Sequence, residues 1–400
     1  MSRIEKLIST LCPNGVEWTT IDNVCSNIVS GGTPATSRSE YYGGDIPWLR
    51  TQEVDWKDIT ETSIKITDEG LRNSSTKWIP ANCVIVAMYG ATAAKVAINK
   101  IPLTTNQACC NLEIDEEKAH YKFIYYWLCN EYRNLKALGE GSQSNINGQK
   151  IKNYEIPIPP LPIQHEIVSI LDKFTILEAE LEAELEARRK QYEFYRNELL
   201  NFEEKEVEWQ TLGEVASYSK DRINTSSINR TNYVGVDNLL QNRKGKTTSN
   251  YVPEKGSLIG YQKNDILIGN IRPYLKKIWK STNNGGTNGD VLVVRINPYH
   301  KNILNSDYLY YHLASDNFFE YNMQFAKGAK MPRGDKSAIL KFTVPIPAYE
   351  EQMRVVAILE KFDALVNDMS VGLPAEIEAR RKQYEYYRGR LLTFKPLNKN

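Results

Sequence analysis

No run of about 18 apolar residues occurs anywhere in the sequence, so no transmembrane helix is expected. The first ten residues carry Arg3, Glu5 and Lys6 and no apolar core, which argues against a secretory signal. Cysteine is scarce: Cys12, Cys25, Cys83, Cys109, Cys110 and Cys129 all lie in the first third, and none forms a C-x-x-C pair. Reduced thiols in a cytoplasmic protein are the expectation. The 4 histidines are scattered without an H-E-x-x-H, so a protein-built metal site is not expected. Neither sign of charge is in surplus, with 50 Lys plus Arg against 49 Asp plus Glu. Composition is otherwise ordinary, 41% hydrophobic and 25% charged, which excludes wholesale disorder. Catalytic signatures are missing as well. There is no Walker loop, no G-x-G-x-x-G and no G-x-S-x-G. An adenine methyltransferase would need an N-P-P-aromatic motif, and Asn297-Pro298-Tyr299 lacks the second proline. A nuclease of the Pro-Asp…Glu-x-Lys kind needs a Pro-Asp dipeptide, and none occurs. The chain is therefore expected to bind rather than to catalyse.

What the sequence does have is a long internal repeat. Val16-Glu17-Trp18 returns as Val207-Glu208-Trp209, an offset of 191. Pro157-Ile158-Pro159 returns as Pro345-Ile346-Pro347, an offset of 188. Residues 186–196 (E-A-R-R-K-Q-Y-E-F-Y-R) return at 378–388 with a single change, Phe194 to Tyr386. The chain reads as a tandem duplication of a variable globular block followed by a helical block. The blocks are bounded at 1–156, 157–204, 205–344 and 345–400.

From Gln164 to Phe202 there is no Gly or Pro, and Ile167, Ile170, Leu171, Phe174, Leu177, Leu181 and Leu185 step by three and four. This spacing predicts one long amphipathic helix after the proline-rich entry 157–162. The second copy starts near Glu351 and is expected to break at Gly372 and Pro374. Each stripe must be buried, and the other copy is the natural partner, which predicts an antiparallel coiled coil of pseudo-twofold character. Two independent surface helices are the alternative. The fold class expected is α+β: two mixed α/β domains separated by two long helices. Residues 83–88 and 291–296 read as buried strands, and 121–128 and 308–319 as aromatic-rich helices. Ser30-Gly31-Gly32-Thr33-Pro34 and Asn283-Asn284-Gly285-Gly286 read as turns or loops.

Near-neutrality hides an asymmetry. Residues 212–344 hold 19 basic and 10 acidic residues, a net +9, whereas residues 19–156 hold 14 and 16, a net −2. A basic block suggests a polyanion partner. Its cations cluster around Arg243 and Lys244, around Arg272, Tyr274, Lys276 and Lys277, and around Lys330 and Arg333. Lys, Arg and interleaved aromatics in loops suit phosphate and base-edge contacts. In the first block, loop residues Arg50, Gln52, Lys95, Gln143, Asn145 and Asn147 are the candidate readers, though loop polarity alone would account for each singly.

These strings resemble one family, the DNA-specificity (S) subunits of type I restriction-modification systems. The resemblance covers essentially the whole chain. It rests on Gly31-Gly32-Thr33-Pro34, Gly44-Asp45-Ile46-Pro47-Trp48, Met88-Tyr89-Gly90-Ala91-Thr92, Thr105-Asn106-Gln107 and Pro157-Ile158-Pro159 with Gln164 in the first half. In the second half it rests on residues 269–277, Met331-Pro332-Arg333-Gly334-Asp335, and Pro345-Ile346-Pro347 with Gln352. The helix bearing Leu177-Glu178-Ala179-Glu180 and its repeats resembles the subfamily with tetrapeptide repeats in the central region. The resemblance implies two target-recognition domains, each reading half of a split, asymmetric site in double-stranded DNA. The helices between them would fix the unspecified gap and dock two modification subunits. Those subunits would carry S-adenosylmethionine and methylate adenine N6, and restriction subunits using ATP and Mg would join them. No cofactor is expected on this chain itself. Gln164, Arg188, Arg189, Gln191 and Tyr192 are the expected docking residues, with their mates Gln352, Arg380, Arg381, Gln383 and Tyr384. Two other readings stay open: the recognition subunit of a fused restriction-methyltransferase or an orphan S protein, and a coiled-coil scaffold that does not read DNA.

Overall fold

The computed structural model describes residues 3–139, 145–203, 206–368 and 370–397. The chain forms two compact units, Met1–Glu180 with Glu378–Asn400, and Leu181–Ile377. The division falls inside one helix, Leu161–Leu200, and 40 residues at 1.5 Å each make it roughly 60 Å long. Pro162 sits in its first turn, where a missing N–H costs nothing.

In the first unit the buried strand Val84–Ala87 lies between Cys109–Ile114 and Val96–Asn99 in a five-stranded sheet. A four-stranded sheet centred on Tyr42–Leu49 and Leu103–Thr105 adjoins it in sequence. Glu17–Thr20 pairs antiparallel with Glu155–Ile158, so the start and end of the globular block close on each other. The second unit repeats this plan. Ile266–Gly269 lies between Val291–Ile296 and Ile278–Lys280, and Glu208–Thr211 pairs with Thr343–Ile346. The strand readings at 83–88 and 291–296 therefore correspond to the buried central strands Val84–Ala87 and Val291–Ile296.

The duplication extends to the helix packing. In the first unit Phe174 stacks on Tyr387 at 5.6 Å and lies 6.3 Å from Tyr384, while Glu178 pairs with Arg381. Contacts that climb one segment while descending the other define an antiparallel pair. In the second unit Phe362, the repeat mate of Phe174, stacks on Tyr192 at 6.2 Å and Tyr195 at 5.8 Å. The same three aromatic positions thus lock both copies. The second copy is broken as expected, into Tyr349–Asn367 and Leu373–Leu391. At the break a Cβ on Gly372 would come within 2.3 Å of the Ala364 carbonyl oxygen, so only glycine fits.

Two local readings are corrected. The run 308–319 is not one helix but two, Ser306–Leu313 and Asp316–Gln324, because Ser315 caps the second by accepting from the Phe318 N–H at 3.1 Å. The Gly285-Gly286 turn is instead the strand Gly285–Thr287. A Cβ on Gly285 would lie 2.1 Å from the Asn232 carbonyl oxygen, so these glycines permit close strand approach rather than a bend. All six cysteines are free. Burial pushes the Cys25, Cys83, Cys110 and Cys129 thiols up to about 12, which makes them poor nucleophiles.

Candidate nucleic-acid interface and docking helices

The three basic clusters of residues 243–246, 272–277 and 327–333 are far apart in sequence and adjacent in space. The Asn242 N–H donates to the Leu275 carbonyl and the Arg243 N–H to the Lys276 carbonyl, both at 2.9 Å. The Arg272 N–H donates to the Pro332 carbonyl at 2.7 Å, and Ile271 bridges Arg333. The join is made by unusual backbone. Asn242, Arg243, Arg272 and Lys276 all have left-handed φ, between 53° and 63° for the first three and 50° for Lys276. Such conformations cost L-residues of this size about 1 kcal/mol or more each, so the cross-loop bonds must hold them.

The cations divide into two groups. Lys244, Arg272 and Lys330 are exposed, as is Tyr274 at 49%. Arg333 is exposed and pairs weakly with Asp290 at 3.5 Å. Arg243 and Lys276 instead turn inward onto the carboxylate of Asp316. Arg243 also donates to the Ala314 carbonyl. Lys277 donates to the Val236 carbonyl at 2.6 Å, and burial lowers its pKa. Lys246 lies over the Trp279 ring, its pKa likewise lowered by burial.

The first unit assembles its candidates in the corresponding place. The turn Gly90–Thr92 follows the central strand as Pro273–Leu275 does in the second unit. The Thr92 hydroxyl donates to the Thr51 carbonyl at 2.7 Å, which brings Arg50 and Gln52 beside the turn. The Ile146 N–H donates to the Met88 carbonyl at 2.9 Å, which brings in Asn145 and Asn147. Gln52 and Asn145 are exposed. Arg50 is half-buried against Glu53 at 3.8 Å, and Lys95 is engaged by Asp55 at 2.5 Å. Asn147 spends its side-chain oxygen on the Lys150 N–H at 2.9 Å as a helix cap. Gln143 lies outside the described residues.

On the helices the expected docking set splits. Gln164 and Gln352 have no exposed surface, so they cannot touch a partner directly. Gln164 accepts from the His120 N–H at 2.8 Å and donates to the Pro159 carbonyl at 2.8 Å. Gln352 accepts from the Asn305 N–H and donates to the Ile303 and Pro347 carbonyls. Each fastens the start of its helix to the preceding Pro-Ile-Pro strand and to a neighbouring helix N-terminus, which is the physical meaning of the repeated proline–glutamine spacing. Tyr192 is also buried, against Phe362, and Tyr384 packs beside Phe174. Arg188 and Arg380 each donate to the glutamine three residues on, Gln191 at 2.7 Å and Gln383 at 3.0 Å. Arg189 and Arg381 are exposed.

One repeated feature escaped the sequence reading. Phe194 and Tyr195 form an exposed edge-to-face pair at 5.4 Å, and Tyr386 and Tyr387 form the same pair at 5.4 Å. Phe194 is 61% and Tyr386 59% exposed. Their signal was the F-Y and Y-Y inside the duplicated run, hidden because aromatic residues in a helix read first as core.

Among the described residues no group of three or more His, Cys, Asp or Glu could hold a metal ion. Nor is any of their helices long and apolar enough to cross a membrane.

A duplicated scaffold with one loop-built polar face per copy is the architecture of a recognition protein. Comparison with known proteins agrees. The family model "Type I restriction modification DNA specificity domain" matches twice, over residues 13–187 and 204–379, and the chain belongs to that family. It is 36% identical over 302 residues to the type I restriction enzyme EcoR124I/EcoR124II specificity subunit of Escherichia coli, covering 70% of this chain and 72% of that one. It is 29% identical over 416 residues to a putative type I specificity subunit of Haemophilus influenzae, covering 98% of both. Its fold matches a chain solved in work on complex assembly and conformational transition of the type I R-M system, with a TM-score of 0.64 and 15% identity over 95% of this chain and 98% of that one. It also matches the type I S subunit from M. genitalium, with a TM-score of 0.56 and 17% identity over 94% and 96%.

Proposed function

We propose that this chain is the non-catalytic subunit that reads a split, asymmetric DNA site for a type I restriction-modification complex. The observation that carries the reading is the paired architecture: each unit gathers separate polar segments around the turn after its central strand. Two unlike faces on like scaffolds suit two unlike half-sites. Phosphate contacts position such a face and side chains at base edges specify it. Lys244, Arg272, Lys330 and Arg333 supply the cations in the second unit, while Gln52 and Asn145 supply amide groups in the first. The repeated exposed pairs Phe194–Tyr195 and Tyr386–Tyr387, flanked by Arg189 and Arg381, suit two copies of one partner, the modification subunit. That partner would bring S-adenosylmethionine, and restriction subunits would bring ATP and Mg. The near-neutral chain is no obstacle, since partners that embrace the duplex share the phosphate contacts.

Co-expression with the candidate modification subunit, followed by genome-wide mapping of methylated adenines, tests this. The expected result is one split motif with one fixed gap. A soluble complex that adds no methylation would overturn it. The helix supplies a sharper form. Deleting Leu181–Glu184 removes four helical residues, about 6 Å, against about 3.4 Å per base pair. The gap should shorten by one or two base pairs with both half-site sequences unchanged.

A further inference from the structure

Asp316 is the first residue of the helix Asp316–Gln324. Three cations from three separate segments converge on its carboxylate. Arg196, on the long helix and 4% exposed in its side chain, reaches it at 2.8 Å. Arg243 and Lys276 reach it from the two cross-bonded loops. Around this cluster Arg196 lies over the Tyr192 ring and Arg243 over the Phe319 ring. Burial by itself would raise the Asp316 pKa, but hydrogen bonds from Lys276 and Arg243 and the charges of Arg243 and Arg196 hold it down at about 2. The carboxylate is therefore ionised wherever the protein functions.

This arrangement has two physical consequences. The first concerns shape. The loops carry left-handed backbone at Arg243 and Lys276 themselves, so the side chains that Asp316 holds belong to the strained residues. The second concerns charge. A carboxylate shared by two loop cations competes with phosphate for both of them. We infer that Asp316 is a positioning residue for DNA recognition, which withholds Arg243 and Lys276 from the DNA backbone and ties the face formed by Lys244, Arg272, Tyr274 and Lys330 to the long helix. The inference rests on the reading of that face as DNA-binding. It assigns Arg243 and Lys276 to the frame, whereas sequence alone placed them among the contacts.

Two measurements on the full-length chain test it. The first follows binding of a labelled random-sequence DNA duplex against salt concentration. Each phosphate neutralised contributes about −0.9 to the slope of log K against log salt. Asp316→Asn should release the two loop cations, steepen the slope by roughly 1 to 2, and raise affinity several-fold at low salt. Asp316→Glu should restore the original slope. An unchanged slope in a folded Asp316→Asn chain overturns the inference. The second measurement uses the unaltered chain and does not depend on that variant folding. Lysine acetylation is mapped by mass spectrometry with and without the same duplex. Lys244 and Lys330 should be protected by DNA, and Lys276 should label slowly in both states. Rapid labelling of Lys276 that DNA suppresses overturns the inference while leaving the face intact. Absence of protection at Lys244 and Lys330 overturns the underlying reading of the face, and the inference with it.

Discussion

The two units share a frame and differ in electrostatics. Both place a turn after a buried central strand, close the block with a two-stranded pair, and fasten a helix start through a buried glutamine. The second unit lays net positive loops on that frame and gathers them with Asp316; its globular block carries +9. The first carries −2, and the first residue of the corresponding helix is Tyr132, edge-on to Trp56 at 5.0 Å, while the carboxylate before it, Glu131, accepts from the Asn134 amide and the Tyr154 hydroxyl. Arg388, the repeat mate of Arg196, lies over Tyr384, and its Nε finds no hydrogen-bond partner among the described residues. The frame therefore does not dictate the charge of the loops. Affinity for the DNA backbone is expected to come mainly from the second unit, and the first to contribute through neutral amides.

The comparison is broken most severely where the two units are most alike. Gln352→Leu should leave the Asn305 N–H and the Ile303 and Pro347 carbonyls without partners, and Gln164→Leu the His120 N–H and the Pro159 carbonyl. Each buried group left unpaired costs about 1–3 kcal/mol. Urea unfolding of the full chain should show a loss of about 3 kcal/mol or more for Gln352→Leu and slightly less for Gln164→Leu. Equal stability of either variant and the parent would contradict the bolt role given to that glutamine.

A pH series sharpens the difference between the units. His312 is buried, its Nε2 finds no hydrogen-bond partner among the described residues, and burial pushes its imidazole down to about 3. The unfolded imidazole takes up its proton near pH 6.5. Below that pH the unfolded chain binds a proton that the folded chain refuses. Stability is therefore whole above about pH 6.5 and falls as the pH drops toward 3, at about 1.4 kcal/mol per unit. In the first unit His120 is also lowered, by burial and then by His165, and its Nδ1 accepts from the Lys122 N–H at 3.1 Å. His312→Phe should flatten the acid limb of the stability curve measured by urea unfolding between pH 7 and 5. An unaltered limb would show that His312 is not the group responsible.

The sequence made the frame legible because periodicity and repetition are local signals. The stepping apolar positions of 167–185 and the duplicated 186–196 run were enough to place both helices and their antiparallel pairing. What it could not show is which polar residues turn inward. Gln164 and Gln352 sit beside the helix starts in sequence exactly as exposed docking residues would, and only the surrounding carbonyls reveal them as internal. Arg243 and Lys276 had the composition of a DNA contact, but Asp316, the residue that claims them, is 73 and 40 positions away. A single long-range carboxylate leaves no trace in the spacing of the cations it holds.

The smallest expected effect separates the units most cleanly. Arg272 is exposed, and a hydrogen bond from its N–H to the Pro332 carbonyl fixes its backbone. Arg272→Ala should therefore lose a phosphate contact without disturbing the loop, and the left-handed φ of 53° is the one feature working against that substitution. Arg272→Lys shares the backbone requirement and restores the charge, so it serves as the control. Against the same random-sequence duplex, Arg272→Ala should make the salt slope shallower by about 0.9, and Arg272→Lys should leave it near the parent value. In the first unit Gln52 is exposed and carries no charge. Gln52→Ala should leave the salt slope unchanged and alter instead the bases tolerated in one half of the methylated motif. A slope that moves with Gln52 and not with Arg272 would invert the assignment, making the near-neutral unit the one that grips the backbone.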